Sequence, residues 1–335
     1  MSINEKRKIR KLYVIRLFVF ILCFLILTNC KKKNQDTYLF RASLLVNEDH
    51  TVFKGFDYFS KILEERSNGR MKLQVYPSEQ LAKEIEAIRL IQAEVIDMTV
   101  TSSLLNNWFE TAVFCELPFF FKDTTEVQNF IKGPVGKRME DQMINITGLR
   151  PLGYFQRGAR HLTSNKPIKH PDDLQGLIVR VPNVPSFVTT WESLGAKPTP
   201  MAFSEVFTSL QQGTIEAQEN PFAFIKNAGF YEVQKYVNLT GHVLGFGYPV
   251  IGEKQFQKLP EDLKVILLEA AKDMQDYEHK LFLENESKIK AELKSKGMEF
   301  INVDKEAFIK KSEKAIYNSL SKDMQAVYRE LKDLD

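Results

Sequence analysis

The chain has 335 residues, 44% hydrophobic and 27% charged, which argues against wholesale disorder, collagen-like repetition and a multi-span membrane protein. Its length exceeds one usual domain, so a two-lobed chain or one large α/β unit is expected. The formal net charge of +3, from 46 Lys+Arg against 43 Asp+Glu, looks mildly basic, and its meaning depends on where the surplus sits.

The surplus sits at the start. Lys6, Arg7, Lys8, Arg10, Lys11 and Arg16 stand against a single Glu5, and the apolar run Leu17–Leu27 follows at once. Eleven helical residues reach only about 16 Å, roughly half a bilayer core, so the run is too short to span. A basic segment followed by a short apolar one predicts a secretion signal over residues 1–29. Leu27-Thr28-Asn29-Cys30 resembles the lipobox of bacterial lipoproteins, with Asn29 in place of the usual small residue. That pattern implies lipidation at Cys30 and a polar tether over 30–37; the alternative is an ordinary signal or an uncleaved anchor. Without residues 1–29 the balance becomes 40 basic against 42 acidic residues, and without the tether 37 against 41. A nucleic-acid partner loses its support. Beyond Cys23 and Cys30 only Cys115 remains, so an internal disulfide is excluded.

In chain order, Tyr38–Leu44 reads as a strand. Val52, Phe56, Phe59 and Leu63 recur at helical spacing up to a stop at Asn68-Gly69. Met71–Tyr76 alternates like a strand, Lys83–Glu94 is helical, and Ile96–Val100 is the next strand. This β-α-β-α-β run predicts a parallel sheet with helices on its faces. From about residue 150 the pattern restarts. Leu152–Phe155, His161–Thr163 and Leu177–Val181 read as strands, and Pro171–Leu174 as a short capped helix. Trp191–Leu194 is helical, Ser204–Gln212 is a helix with Ser204 as N-cap, and Ile215–Ala217 is a strand. A single helical pattern runs from Pro260 to Lys296, some 35 residues or about 50 Å, long enough to brace two lobes. Further helix closes the chain over Asn302–Leu334.

The five histidines share no metal-ligand spacing, and no nucleophile elbow, phosphate loop or dinucleotide fingerprint is present. Neither metal nor cofactor nor catalysis is expected. Four segments stand out: Gly158–Asn165 (GARHLTSN), Leu177–Asn183 (LIVRVPN), Lys197–Phe207 (KPTPMAFSEVF) and Ala217–Pro221 (AQENP). Arg180 lies in a β-branched run that otherwise looks buried. Its guanidinium therefore needs an internal anion, a carbonyl or a ligand. Arg160 ends a Gly-Ala run where a ligand or backbone can approach closely, and Asn220 is fixed by the restricted backbone before proline. Phe203 fits either core packing or a ligand face.

Together these segments resemble the solute-binding subunits of tripartite ATP-independent periplasmic (TRAP) transporters, the DctP family, over residues 38–330. The likeness is greatest to binders of four-carbon dicarboxylates, sialic acid and sugar acids. The resemblance implies an α/β, periplasmic-binding-protein-like Venus flytrap: two lobes, hinge strands and a long helix spanning both. Residues 38–157 with about 246–285 would form the first lobe, and 158–245 with about 286–335 the second. By resemblance Arg180 grips the ligand carboxylate with two prongs, Arg160 and Asn220 reach the same group, and Phe203 lies beside it. Departures fall at the far end: Ser102 stands where sialic-acid binders have a glutamate, and Ile85, beside Glu84, where they have an arginine. The segment Ala42-Ser43-Leu44 aligns only with a shift. An organic or sugar acid is thus favoured over sialic acid, with Ser102 and Glu84 as weaker contacts. The implied protein is an extracytoplasmic, lipid-anchored receptor delivering its solute to an ion-gradient-driven TRAP permease. A sensor subunit and a surface lipoprotein with a vestigial cleft stay open.

Overall fold

The computed structural model of the protein describes residues 36–333; the expected secretion signal, Cys30 and most of the expected tether lie outside the described residues. From residue 39 on, the described residues gather into one compact unit. The expected opening is present as β1 (Tyr38–Ser43), α1 (Thr51–Arg66), β2 (Met71–Tyr76), α2 (Glu84–Gln92) and β3 (Met98–Thr101). Helix α1 starts because the His50 ring nitrogen accepts the Val52 N–H, and it buries Val52, Phe56, Phe59, Ile62 and Leu63 along one face. It stops at Asn68 and Gly69, both at positive φ.

Two helices, α3 (Thr124–Lys132) and α4 (Pro134–Gln142), lead to β4 (Leu149–Pro151) and β5 (Phe155–Ser164). The second half continues with β6 (Ile178–Val181), α5 (Pro185–Ser193), β7 (Lys197–Pro200), α6 (Val206–Gln212), β8 (Ala217–Pro221) and α7 (Phe222–Asn227). After β9 (Tyr236–Gly252) come α8 (Glu253–Gln257), α9 (Glu261–Ser295), β10 (Glu299–Ile301), α10 (Lys305–Ser319) and α11 (Lys322–Asp333).

The strands form one mixed sheet in the order β2-β1-β3-β9-β5-β8-β6-β7, with β4 and β10 also on β9. The parallel pairing expected of the opening run is present between β1 and β3, and β9 makes the sheet as a whole mixed. It runs antiparallel to β3 and to β5, while β1 and β3, and β6 with β7 and β8, are parallel. The 17 residues of β9 join the two halves: Tyr236–Gly247 pair with β5, and Tyr248–Ile251 with β3. Of the residues expected as two strands, 152–155 and 161–163, Phe155 and 161–163 belong to one ten-residue strand, β5, and 152–154 precede it outside any strand. Strand β5 is continuous through Arg157 and Gly158 because a register shift between Gln156 and Ala159 absorbs the break in alternation. Ser204 is not an N-cap: it sits inside a short turn of 3₁₀ helix, Phe203–Glu205, ahead of α6.

Separate cores lie under the two halves. One gathers Ile88, Leu105, Phe114, Phe130, Phe246 and Tyr248 and also takes in Ile316, Leu320, Met324 and Val327 from the C-terminal helices. Another packs Leu162, Val179, Val181, Phe187, Trp191 and Phe308. The long helix α9 spans both halves. Near its start Asp262 and Asp273 pair with Arg70 and Arg66, and near its end Glu292 pairs with Lys226 while Leu293 enters the core around Val206 and Phe230. It lies close against α1 because Gly55 has no side chain; a Cβ there would stand 3.2 Å from that of Glu278.

Candidate ligand-binding cleft

A cleft of about 420 Å³ opens between the two halves of the sheet. Arg160, Arg180, Asn220, Phe203, Ser102 and Glu84, six residues singled out from the sequence, all line it. The sheet order explains the convergence. Strand β8 lies between β5 and β6, with Arg160 opposite Pro221 and Arg180 beside Gln218. Two arginines therefore flank the strand that carries Asn220. The loop after β6 (Pro182, Asn183) and the turn after β7 (Met201, Ala202) add to the wall, so the cleft sits at the carboxyl ends of parallel strands.

The arginines differ sharply in company. Arg160 is 3% exposed. Its Nε and Nη2 donate to the two carboxylate oxygens of Glu219 at 2.6 and 2.8 Å, and Nη2 also reaches the Glu219 carbonyl at 2.9 Å. Its Nη1 donates to Glu116 Oε1 at 3.1 Å. Of five guanidinium N–H groups, one on Nη1 is left over. Burial disfavours the charge, but the two carboxylates outweigh it and hold the pKa of Arg160 above its ordinary value. Burial likewise works against ionised Glu219, and the Arg160 charge with the hydrogen bonds from Arg160 and His242 brings it down to about 2.

The network extends one step further. His242 Nε2 lies 2.9 Å from Glu219 Oε2, and its Nδ1 lies 2.8 Å from the Thr240 hydroxyl. An ionised carboxylate only accepts, so Nε2 carries the hydrogen and Nδ1 accepts from Thr240. Burial keeps the pKa of this histidine low despite Glu219, in keeping with a neutral ring.

Arg180 is as deeply placed, 4% exposed, yet makes no ion pair among the described residues. Its Nε and Nη2 both donate to the Met201 carbonyl, at 3.1 and 2.7 Å. That occupies one side of the fork and leaves the Nη1–Nη2 end without an acceptor among the described residues. Burial, only partly offset by the more distant Glu219 and Glu79, brings its pKa down to about 10; it remains a cation at neutral pH. The Phe203 ring lies 6.0 Å from its carbon, and packs edge-on against Phe224 and Phe230. Asn220 spends one amide hydrogen on Gln218 at 2.7 Å and keeps the rest of its amide for the cleft.

The opposite wall holds further groups. Ser102 lines the cleft, but its single hydroxyl hydrogen faces Glu116 Oε2 at 3.0 Å and the Phe246 carbonyl at 2.9 Å. Glu84, at the first turn of α2, accepts from the Thr101 hydroxyl at 3.0 Å, and burial pushes its carboxyl up to about 7. Ile85 lines the cleft as well. In the N-terminal segment Ala42 and Leu44 are buried in the core, and Leu45 is the residue that reaches the cleft.

Sequence reasoning missed Glu116, Glu219, His242, Arg157 and Glu79. Glu219 stood within a quoted segment, and a charge in a fully buried strand was the available signal. Arg157 enters the cleft only because the bulge in β5 inverts the alternation of side chains, so residues 157 and 160 share a face. No group of three or more potential metal ligands lies close together among the described residues.

Comparison with known proteins agrees with this architecture. Residues 42–329 match the family described as bacterial extracellular solute-binding protein, family 7. A solute-binding protein of Roseobacter denitrificans is 41% identical over 287 residues, 86% of this chain and 88% of that one. The 2,3-diketo-L-gulonate-binding periplasmic protein of Escherichia coli is 34% identical, covering 75% and 77% of the two chains. Among solved structures, a TRAP periplasmic solute-binding protein from Roseobacter denitrificans with bound L-galactonate superposes with a TM-score of 0.87 at 40% identity, over 89% of this chain and 99% of the other. The two-lobed α/β fold, the long bracing helix and the match across nearly the whole body lead to one conclusion: the chain belongs to the DctP family of TRAP-transporter solute-binding proteins.

Proposed function

We propose that the cleft captures a sugar acid by its carboxylate, with Arg180 as the principal grip. The observation that carries this reading is the unpaired, buried guanidinium of Arg180, whose open Nη1–Nη2 end matches a carboxylate bidentately. Asn220 and the remaining Nη1 hydrogen of Arg160 reach the same group, and Phe203 flanks it. Ser102 acts through Glu116, and Glu84 faces the far end of the solute. The bound L-galactonate of the Roseobacter neighbour supports an aldonate or a related sugar acid.

The solute bridges two lobes, residues 38–157 with about 246–285 and 158–245 with about 286–335, the last helices packing back onto the first core. Ligand that touches both walls favours the closed state by its differential affinity. The filled receptor delivers its solute to a TRAP permease driven by an ion gradient, from a periplasmic position secured by lipid at Cys30. No helix among the described residues is long and apolar enough to cross a membrane. The relatives are transport solute-binding proteins, which favours this reading over a sensor subunit.

Native mass spectrometry of the unrefolded protein identifies a co-purified acid, and titration calorimetry with a panel of three- to six-carbon aldonates and uronates tests the grip. Arg180→Ala is expected to cost about 2–5 kcal/mol of binding, and Arg180→Lys to recover only part. Wild-type affinity in both variants overturns the assignment.

A further inference from the structure

Opposite Arg180 the cleft carries carboxyls with spare acceptor capacity. Glu79 sits in the turn between β2 and α2, where Ser78 and Glu79 are successive non-glycine residues at φ of 52° and 57°. Such a conformation costs energy unless its surroundings impose it. Here the Ser78 amide donates to the Val46 carbonyl and the Glu79 amide to the Leu44 carbonyl, each at 2.9 Å. The strained turn brings Glu79 to the wall of the cleft, where burial, opposed by nearby Ser204, Lys83 and Arg180, raises its pKa. Its Oε2 is buried and has no hydrogen-bond partner among the described residues. Glu84 uses one oxygen on Thr101 and has no second partner among the described residues. Buried acceptors left unpaired are costly, and a ligand hydroxyl relieves that cost.

Charge is graded along the cleft. Arg180 feels Glu219 most, then Arg160, Glu79 and Glu205, whereas Glu84 feels the Arg157 cation most and then the carboxylates Glu116 and Glu79. Arg157 offsets part of that charge: its guanidinium lies 3.8 Å from Glu116 and over the Phe224 ring, so one cation faces three carboxyls, Glu79, Glu84 and Glu116. One end thus offers the open fork of Arg180, and the other carries more carboxyls than cations.

We propose that Glu79 and Glu84 set the selectivity of this cleft, accepting hydroxyls of a polyhydroxy monocarboxylate and rejecting acids that carry a second carboxylate at the distal end. The inference rests on the carboxylate grip at Arg180. It places the hydroxylated tail against Glu79 and Glu84, which reward O–H donors and repel anions. Selectivity then comes as much from repulsion of the wrong acid as from contacts with the right one.

The test pairs acids that differ only at C6: L-galactonate against galactarate, and D-gluconate against glucarate. Calorimetry on the full mature chain at pH 8, above the value near 7 to which burial pushes Glu84, measures both members of each pair. The better-bound aldonate is expected to exceed its aldarate by at least about 100-fold, and Glu79→Gln or Glu84→Gln to narrow that ratio about tenfold. Glu84→Gln keeps an oxygen for Thr101 and serves should Glu79→Gln fail to fold. An aldarate that binds as tightly as its aldonate, or a ratio untouched in the folded variants, overturns the selectivity role. If Arg180→Ala still abolishes binding in that event, the carboxylate grip stands on its own. Failure of every acid to bind overturns both.

Discussion

Arg160 and Arg180 stand on either side of one strand, equally buried, and the protein treats them in opposite ways. Arg160 is surrounded by Glu219 and Glu116 and its pKa is raised; Arg180 faces a single carbonyl and its pKa is lowered. Two carboxylates around one guanidinium make a finished internal network that stiffens the floor of the cleft. A guanidinium with one carbonyl is an unfinished network, which under the proposed function an arriving anion completes. Under the proposed function the same residue type is mostly committed to the protein on β5, with one Nη1 hydrogen to spare, and receptive on β6. The difference lies in what the neighbouring strand supplies, since burial is alike.

The comparison breaks most visibly on stability. Arg160→Ala leaves Glu219 and Glu116 buried without their main counter-charge, and the loss of one partner from a buried ionic network costs about 3–5 kcal/mol. Urea denaturation of the ligand-free protein checks this. A loss below about 1 kcal/mol would mean that Arg160 is as free for ligand as Arg180.

Acid sharpens the contrast next. The Glu219 carboxyl is held at about 2, below its ordinary 4.5. An acid with a depressed folded-state pKa contributes stability that is fully present above 4.5 and lost as pH falls towards 2. The loss expected over that window is on the order of 3 kcal/mol. Glu278 runs the other way: burial lifts it to about 7, with the Thr51 hydroxyl as its only hydrogen-bond partner among the described residues. Its effect lowers stability as pH rises from 4.5 to 7, again on the order of 3 kcal/mol. His50 and His161, both pushed down to about 3 by burial, lose stability as pH falls below 6.5, so the Glu278 effect is read as the difference between wild type and Glu278→Gln. That variant is expected to be more stable than wild type at pH 8 and to converge with it near pH 4.5. Parallel profiles would show that Glu278 stays ionised.

How much of this was legible in the sequence follows from the same physics. Helix α1, the 35-residue α9 and the first three strands announce themselves because their apolar spacing is unbroken and their ends carry stops or caps. The residues lining the cleft were legible as a set, since Arg160, Arg180, Asn220 and Phe203 lie in short segments that are odd for a core. Their partners were not. Glu116 meets Arg160 from 44 residues away and Glu219 from 59, and no local pattern encodes such pairing. Strand β9 escaped notice because its buried run, with Gly241, Gly245, Gly247 and Pro249, lacks the alternation of a one-faced strand. It is covered on both sides and crosses between two halves of a sheet.

The smallest expected effect is also the most discriminating. Arg180→Ala removes two hydrogen bonds to the Met201 carbonyl and, with them, a buried unpaired charge. These contributions oppose each other, so the ligand-free protein should change in stability by less than about 1 kcal/mol. The pattern then inverts on adding a sugar acid that wild type binds. Wild type gains stability by mass action, about 2.7 kcal/mol at a concentration one hundred times Kd, and the variant gains far less. Thermal melts with and without the acid read both terms in one experiment. A ligand-free Arg180→Ala protein destabilised as much as Arg160→Ala would make the two arginines equivalent, and the open end of the Arg180 fork would then be a detail of packing with no bearing on ligand capture.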